Sequence, residues 1–368
     1  MPATYRYNPF LLLINFAMWL ILLLYYRKAS NTDKINNKSN NYLFLFVMAV
    51  LYMVFAFSEA DTYHYHYMFN EIKSTNNRSH VEPFYFWLIQ KLPSNGYYLW
   101  RLIVWGSAIC FQILTFKRLK LDSNLISWLF SLVLLIPFSL SRDSLGFSLL
   151  IYSCSLIYKP GKYKFCYFVV GIIGFWLSSY LHKSMAIFII IAILSIIKVN
   201  KIYYISSFIL FPFLYGMILI YSKMFLSAGF IPNDTITSGL SYLEGGIFRR
   251  NFNGIIQWVV TNAPLVLSEV ILVKYLVFKK IQIERIGEFL FRISYNLVYI
   301  GLLFFDQETS AFLSARFLHA SYFFLLIPMA CFFRLPEGRK TLKLISLLFM
   351  TSCVYNLAYH FYSYYKLW

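Results

Sequence analysis

The chain has 368 residues, 60% of them hydrophobic and only 13% charged, with a mean hydropathy of +0.61. A soluble globular domain is nearer half apolar and a quarter charged, so these figures exclude that class and point to an integral membrane protein. The formal net charge of +18 does not point to nucleic acid, because the basic residues are scattered through short connections without a basic domain or motif.

A bilayer core takes about 20 apolar residues per helix, with a usable range of roughly 17 to 25. The first apolar run lacks a strongly basic flank before it and a small-residue cleavage site after it, so it reads as a span and not as a cleaved signal. In chain order the candidate spans are 9–26, 42–57, 97–116, 125–140, 145–158, 165–181, 185–197, 202–221, 255–273, 289–305, 317–333 and 342–360. These predict an all-α, polytopic helical bundle of about twelve transmembrane helices, forming one membrane domain over 1–368. Pro83–Leu92 is apolar but too short to cross and reads as a re-entrant or interfacial helix. Cys110, Cys154, Cys166, Cys331 and Cys353 all fall inside apolar runs without ligand-like spacing. Neither a disulfide framework nor a metal site is expected from them.

Lysine and arginine alternate between connections. One set holds Arg27, Lys28, Lys34, Lys38, Lys117, Arg118, Lys120, Lys159, Lys162 and Lys164. It continues with Lys198, Lys201, Lys274, Lys279, Lys280, Arg285, Arg334, Arg339, Lys340 and Lys343. By the positive-inside rule this set is cytoplasmic and both termini lie on the outer, periplasmic side. The outer face then carries the longer loops, at 59–96, 222–254 and 306–316.

That orientation puts an unusual run of basic groups at outer helix starts. Arg142 opens a span with Ser141 as a candidate N-cap, His182 and Lys183 open another, Arg249 and Arg250 precede a third, and Arg316 opens a fourth. Helix N-termini favour anions, so a cation there is unfavourable by a few tenths to about 1 kcal/mol. An anionic ligand held between the ends would turn those repulsions into charge-assisted hydrogen bonds. Arginine's planar fork suits phosphate or pyrophosphate. The plainer reading is that Arg142 pairs with Asp143 or snorkels to lipid phosphates, and that Arg249 and Arg250 are merely solvated.

Acids supply candidate bases. Asp61, in "SEADTYHYHYMFNEI", lies just beyond the second span, and Glu82 precedes Pro83. Either could accept a proton from an acceptor hydroxyl, or Asp61 could simply cap or pair locally. His182 could carry a proton or donate to phosphate, or only satisfy its turn. His64 and His66 would share a strand face, yet no further metal ligands converge, and a tyrosine-rich interfacial belt explains the stretch better. Glu269 and Arg292 are the main candidates for charge within a span.

The order of several short motifs resembles the EpsG / Wzy-like polysaccharide polymerase family. The matching pieces are Asp61 with Tyr63 and Tyr67, Glu82-Pro83-Phe84, Arg142-x-x-Leu145, His182-Lys183-Ser184, and "SARFLHASYFFLLIP" at 314–328. Two positions depart: Asp143 stands where the family often has Gln, and Phe84 where it often has Gly. The resemblance implies a GT-C-like membrane glycosyltransferase of O-antigen, capsule or exopolysaccharide synthesis. Such a protein works at the exported face of the bacterial inner membrane, within the lipid bilayer and beside a repeat-unit flippase and a chain-length regulator. It needs no metal or cofactor and joins glycan repeat units carried on undecaprenyl pyrophosphate. Arg142 and Arg316, with Arg249 or Arg250, would bind the pyrophosphate, and His182, Asp61 or Glu82 would activate the acceptor. A membrane O-acyltransferase and a flippase or other transporter of the lipid-linked repeat are the alternatives.

Overall fold

The computed structural model describes residues 60–76, 81–121, 143–158, 162–182, 185–227, 252–303 and 311–366. Among them every regular element is a helix, with no strand. In chain order these are α1 (Ala60–Thr75), α2 (Pro83–Lys91), α3 (Tyr97–Arg118), α4 (Asp143–Tyr158), α5 (Lys164–Leu181) and α6 (Met185–Leu194). They continue with α7 (Lys201–Ser227), α8 (Phe252–Leu272) running into a π-helical turn (Val273–Phe278), α9 (Arg285–Leu303), α10 (Ala311–Phe333) and α11 (Pro336–Lys366).

Five stretches are long and apolar enough to cross a membrane: Tyr97–Arg118, Lys164–Leu181, Val259–Phe278, Arg285–Leu303 and Arg316–Phe333. The shorter helices α4 and α6 are also apolar. The expected spans at 9–26, 42–57 and 125–140 lie outside the described residues. The stretch 59–96, expected as an outer loop carrying one short helix at Pro83–Leu92, holds that helix as α2 and, beyond the expectation, α1. His64 and His66 therefore sit on a helix, where a two-residue spacing puts them on different faces.

Contacts divide the chain into two compact units, residues 1–192 with 357–368, and residues 193–356. The boundary falls near the end of α6, an apolar helix and not a polar linker.

The first unit is organised by small residues. On α5 the buried side is Gly171, Gly174, Ser178 and Leu181, one helical stripe, while Phe165, Phe168, Ile172, Trp176 and Tyr180 point out. Small residues inward and large apolar ones outward is a helix adapted to lipid, where backbones gain by close approach. The approach is tight. A Cβ on Gly174 would collide with Ser153 Oγ, and one on Gly171 would lie 2.7 Å from Ile157 Cγ1. Ser153 Oγ is held there by its own bond to the Leu149 carbonyl, 2.7 Å.

These contacts make α4 and α5 antiparallel, so the start of α4 lies beside the end of α5. Helices α3 and α4 run the same way, linked by Gln112 Nε2 donating to Ser148 Oγ (3.2 Å) and Arg118 Nε to the Ser155 carbonyl (3.3 Å). Around the start of α3 is a packed aromatic group of Tyr65, Tyr85, Tyr97, Trp100 and Trp105. Arg101, buried there at 4% exposure, stacks on Tyr97 and Trp105 at 5.8 and 5.3 Å.

The second unit is built on α9 and α10, antiparallel and closely packed. Ser314 Oγ donates to the Gly301 carbonyl at 2.6 Å, and Gly301 has no room for a side chain beside Leu318. Nearly all of the apolar stretch of α10 is inside the protein, so α10 is the core of this unit.

Candidate functional site

Three buried titratable side chains of the first unit meet where α2, α4 and α5 come together. His182 Nε2 lies 2.7 Å from Asp143 Oδ1 and 3.2 Å from Glu82 Oε1. Exposures are 6% for His182, 4% for Asp143 and 6% for Glu82. Buried ionisable groups are costly unless they are paired, so such a convergence is a candidate functional site and not a packing accident.

Each group is placed by its helix. Glu82 is the residue before α2, with φ −59° and ψ 146° and no capping bond from its side chain. Pro83 sets that backbone, because a following proline pushes its neighbour toward extended geometry. The carboxylate is therefore turned away from its own helix and toward His182.

Asp143 opens α4, where a negative side chain is favoured by the helix dipole. His182 is the C-cap of α5 in extended conformation. The glycine stripe fixes the register. Counting from the Gly174–Ser153 contact at 1.5 Å per residue, His182 and Asp143 come to within about 3 Å of the same height. Met185, three residues on, packs against the start of α4: its amide donates to the His182 carbonyl at 3.0 Å, and its Sδ would lie 2.7 Å from a Cβ on Gly146.

The arrangement is that of a proton-handling site. Both carboxylates address one imidazole nitrogen, so a single N–H faces two acceptors. The nearer partner, Asp143, orients the ring, as in a base–orienter pair. Among the described residues no group of three His, Cys, Asp or Glu side chains could hold a metal ion.

Of the residues singled out in the sequence, Glu82 and His182 are brought together. Asp143, read there as an ion-pair partner of Arg142, is bonded to His182 as the third member. Asp61 lies in the first turn of α1, but its side chain is outside the described part, as are Arg142, Arg249 and Arg250. Arg316 belongs to the second unit, partly buried in the second turn of α10, which begins at Ala311 and not at Arg316. Buried Arg101 was not singled out at all; its placement in the first turn of a long apolar run was the available signal.

The intraspan charges Glu269 and Arg292 are both buried in the second unit. Ser294 Oγ donates to Glu269 Oε1, while Glu269 Oε2 has no hydrogen-bond partner among the described residues. Comparison with protein-family models, curated proteins and solved structures finds no match.

Proposed function

We propose that the chain is a membrane glycosyltransferase that polymerises lipid-linked glycan repeat units. The observation that carries this reading is the buried Glu82–His182–Asp143 cluster inside an apolar helical bundle. An acceptor hydroxyl attacks the anomeric carbon of the donor glycan as the bond from that carbon to undecaprenyl pyrophosphate breaks. The hydroxyl proton passes to Glu82 or His182, with Asp143 holding the imidazole in position, and the pyrophosphate leaves with the bonding electrons.

Arg142, next in the chain to buried Asp143, is the ligand assigned to the leaving pyrophosphate. Fixed cations at a developing oxyanion lower the barrier by several kcal/mol, on the order of 3 per donor. In this reading the cluster faces the periplasm or cell exterior from the inner membrane. The protein acts beside a repeat-unit flippase and a chain-length regulator, in O-antigen, capsule or exopolysaccharide synthesis. Both termini lie outside, with about twelve spans in all.

The test is deletion followed by gel analysis of surface polysaccharide. Single repeat units where a ladder stood support the polymerase. A ladder of unchanged length lacking acetyl groups means an O-acyltransferase instead.

A second reading, transport of the lipid-linked repeat, is favoured by Glu269, because an intramembrane carboxylate with an unpartnered oxygen marks ion or substrate pathways in transporters. Loss of every surface repeat on deletion would select it.

A further inference from the structure

Arg292 is 8% exposed and sits two turns into α9, within an apolar helix. A buried guanidinium is expected to face a carboxylate. This one does not. Its Nε donates to the Ser195 carbonyl at 2.8 Å and its carbon lies 5.9 Å from the Phe289 ring, and its terminal nitrogens have no partner among the described residues. Glu288, one turn earlier on α9, is exposed and forms no ion pair with it.

The surroundings bring more positive charge. Ser195 directly follows α6, the short connection after it carries Lys198, and Lys201 opens α7; both lysines are exposed and without a carboxylate among the described residues. This turn is held rigidly against α9. Asn296 Nδ2 donates to Ser195 Oγ at 3.0 Å, and Tyr203 Oη donates to Asn296 Oδ1 at 2.6 Å. Asn200 Oδ1 already accepts the first amides of α7, at 3.0 Å from Ile202 and 3.3 Å from Tyr203. The positive site is therefore made of side chains and not of a bare helix end.

Exposed Ile196, Ile197 and Ile202 flank the two lysines, an apolar skirt beside a basic turn. Charge for a phosphate and an apolar surface for chains, side by side on one connection, describe a lipid more than a free anion. We propose that the α6–α7 turn and Arg292 form a binding site for the phosphate headgroup of an anionic phospholipid, with its acyl chains lying on the isoleucines. The site is independent of the glycan chemistry, and failure of the polymerase reading leaves it untouched.

The test is native mass spectrometry of the full chain in detergent, with phosphatidylglycerol, phosphatidylcholine or inorganic phosphate added in turn. Retained phosphatidylglycerol on the wild type, falling about fivefold in Arg292→Gln and recovering in Arg292→Lys, is the expected result. Lys198→Gln with Lys201→Gln, changes confined to exposed residues, should lower occupancy comparably even where Arg292→Gln does not fold. Equal retention in these variants overturns the site. Equal binding of phosphatidylcholine overturns its selectivity for anionic lipid, and protection by inorganic phosphate alone overturns lipid as the source. A stability loss in Arg292→Gln with unchanged lipid binding reduces the arginine to a cap on α6.

Discussion

The two units handle buried charge in opposite ways. In the first, His182, Asp143 and Glu82 come from three helices and turn to each other, so each member of this cluster has a titratable partner. In the second, Glu269 and Arg292 are buried as deeply, yet each meets a neutral group, a serine hydroxyl and a backbone carbonyl. Convergent titratable groups can pass a proton among themselves. Isolated charges satisfied by neutral partners cannot, and are suited to hold something brought from outside or to fix a helix. The contrast separates a candidate reaction site from a candidate binding site within one chain.

The sharpest way to break this contrast is at the cluster. Under the polymerase reading, His182→Gln, Asp143→Asn and Glu82→Gln should each lower polymer formation by roughly 100- to 10,000-fold with protein level kept. The double variant of His182 and Asp143 should be no worse than the more damaging single one, because groups acting as a unit are not additive. Wild-type ladders from all three single variants would end the reading.

Next in size is Gly174→Leu, which forces α4 and α5 apart at the contact that sets the register. A stability loss of about 1–3 kcal/mol is expected, measured by thermal unfolding in detergent, with polymer lost alongside. Ordinary stability in that variant would mean that the glycine stripe does not set the spacing.

Smaller still is Glu269→Gln, which keeps the serine bond and removes a buried charge. Stability should stay level or rise by about 1 kcal/mol, and ladder length should not change. Disappearance of surface repeats would move the chemistry to the second unit.

The smallest effect is a pH slope from His66, on α1 outside the spans. Burial lowers its pKa from the ordinary value of 6.5. The unfolded chain therefore binds the proton more readily, and stability falls as pH drops through 6.5 toward the lower folded value. His66→Gln should flatten that slope in unfolding midpoints taken between about pH 7 and pH 5; an unchanged slope assigns it elsewhere.

Much of the helical frame was legible, since apolar runs of fixed length and their polar breaks mark α3 and α5 almost to the residue and find α9 and α10 with their starts four and six residues late. The short helix at Pro83–Leu92 was legible too, but α1 was not, because it is too polar and tyrosine-rich to show a membrane period. Glu82 and His182 were legible as candidates by their places at helix ends. Their meeting with Asp143 was not. It depends on three helices that span 100 residues of chain and on the depth to which Gly171 and Gly174 let α4 approach. Arg142 attracted the reading by its charge, while its neighbour carried the contact, a difference that local sequence cannot supply.

The uncapped start of α2 has a consequence for the mildest change one could make there. Glutamate is one methylene longer than the residues that bond back to their own helix, and that extra reach lets it serve His182. Aspartate keeps the charge but is a good cap, so in Glu82→Asp the helix and the imidazole would compete for one carboxylate, and the helix is nearer. The conservative variant should then behave like the neutral Glu82→Gln. Side-chain length at this position acts as an address, deciding which partner receives the charge.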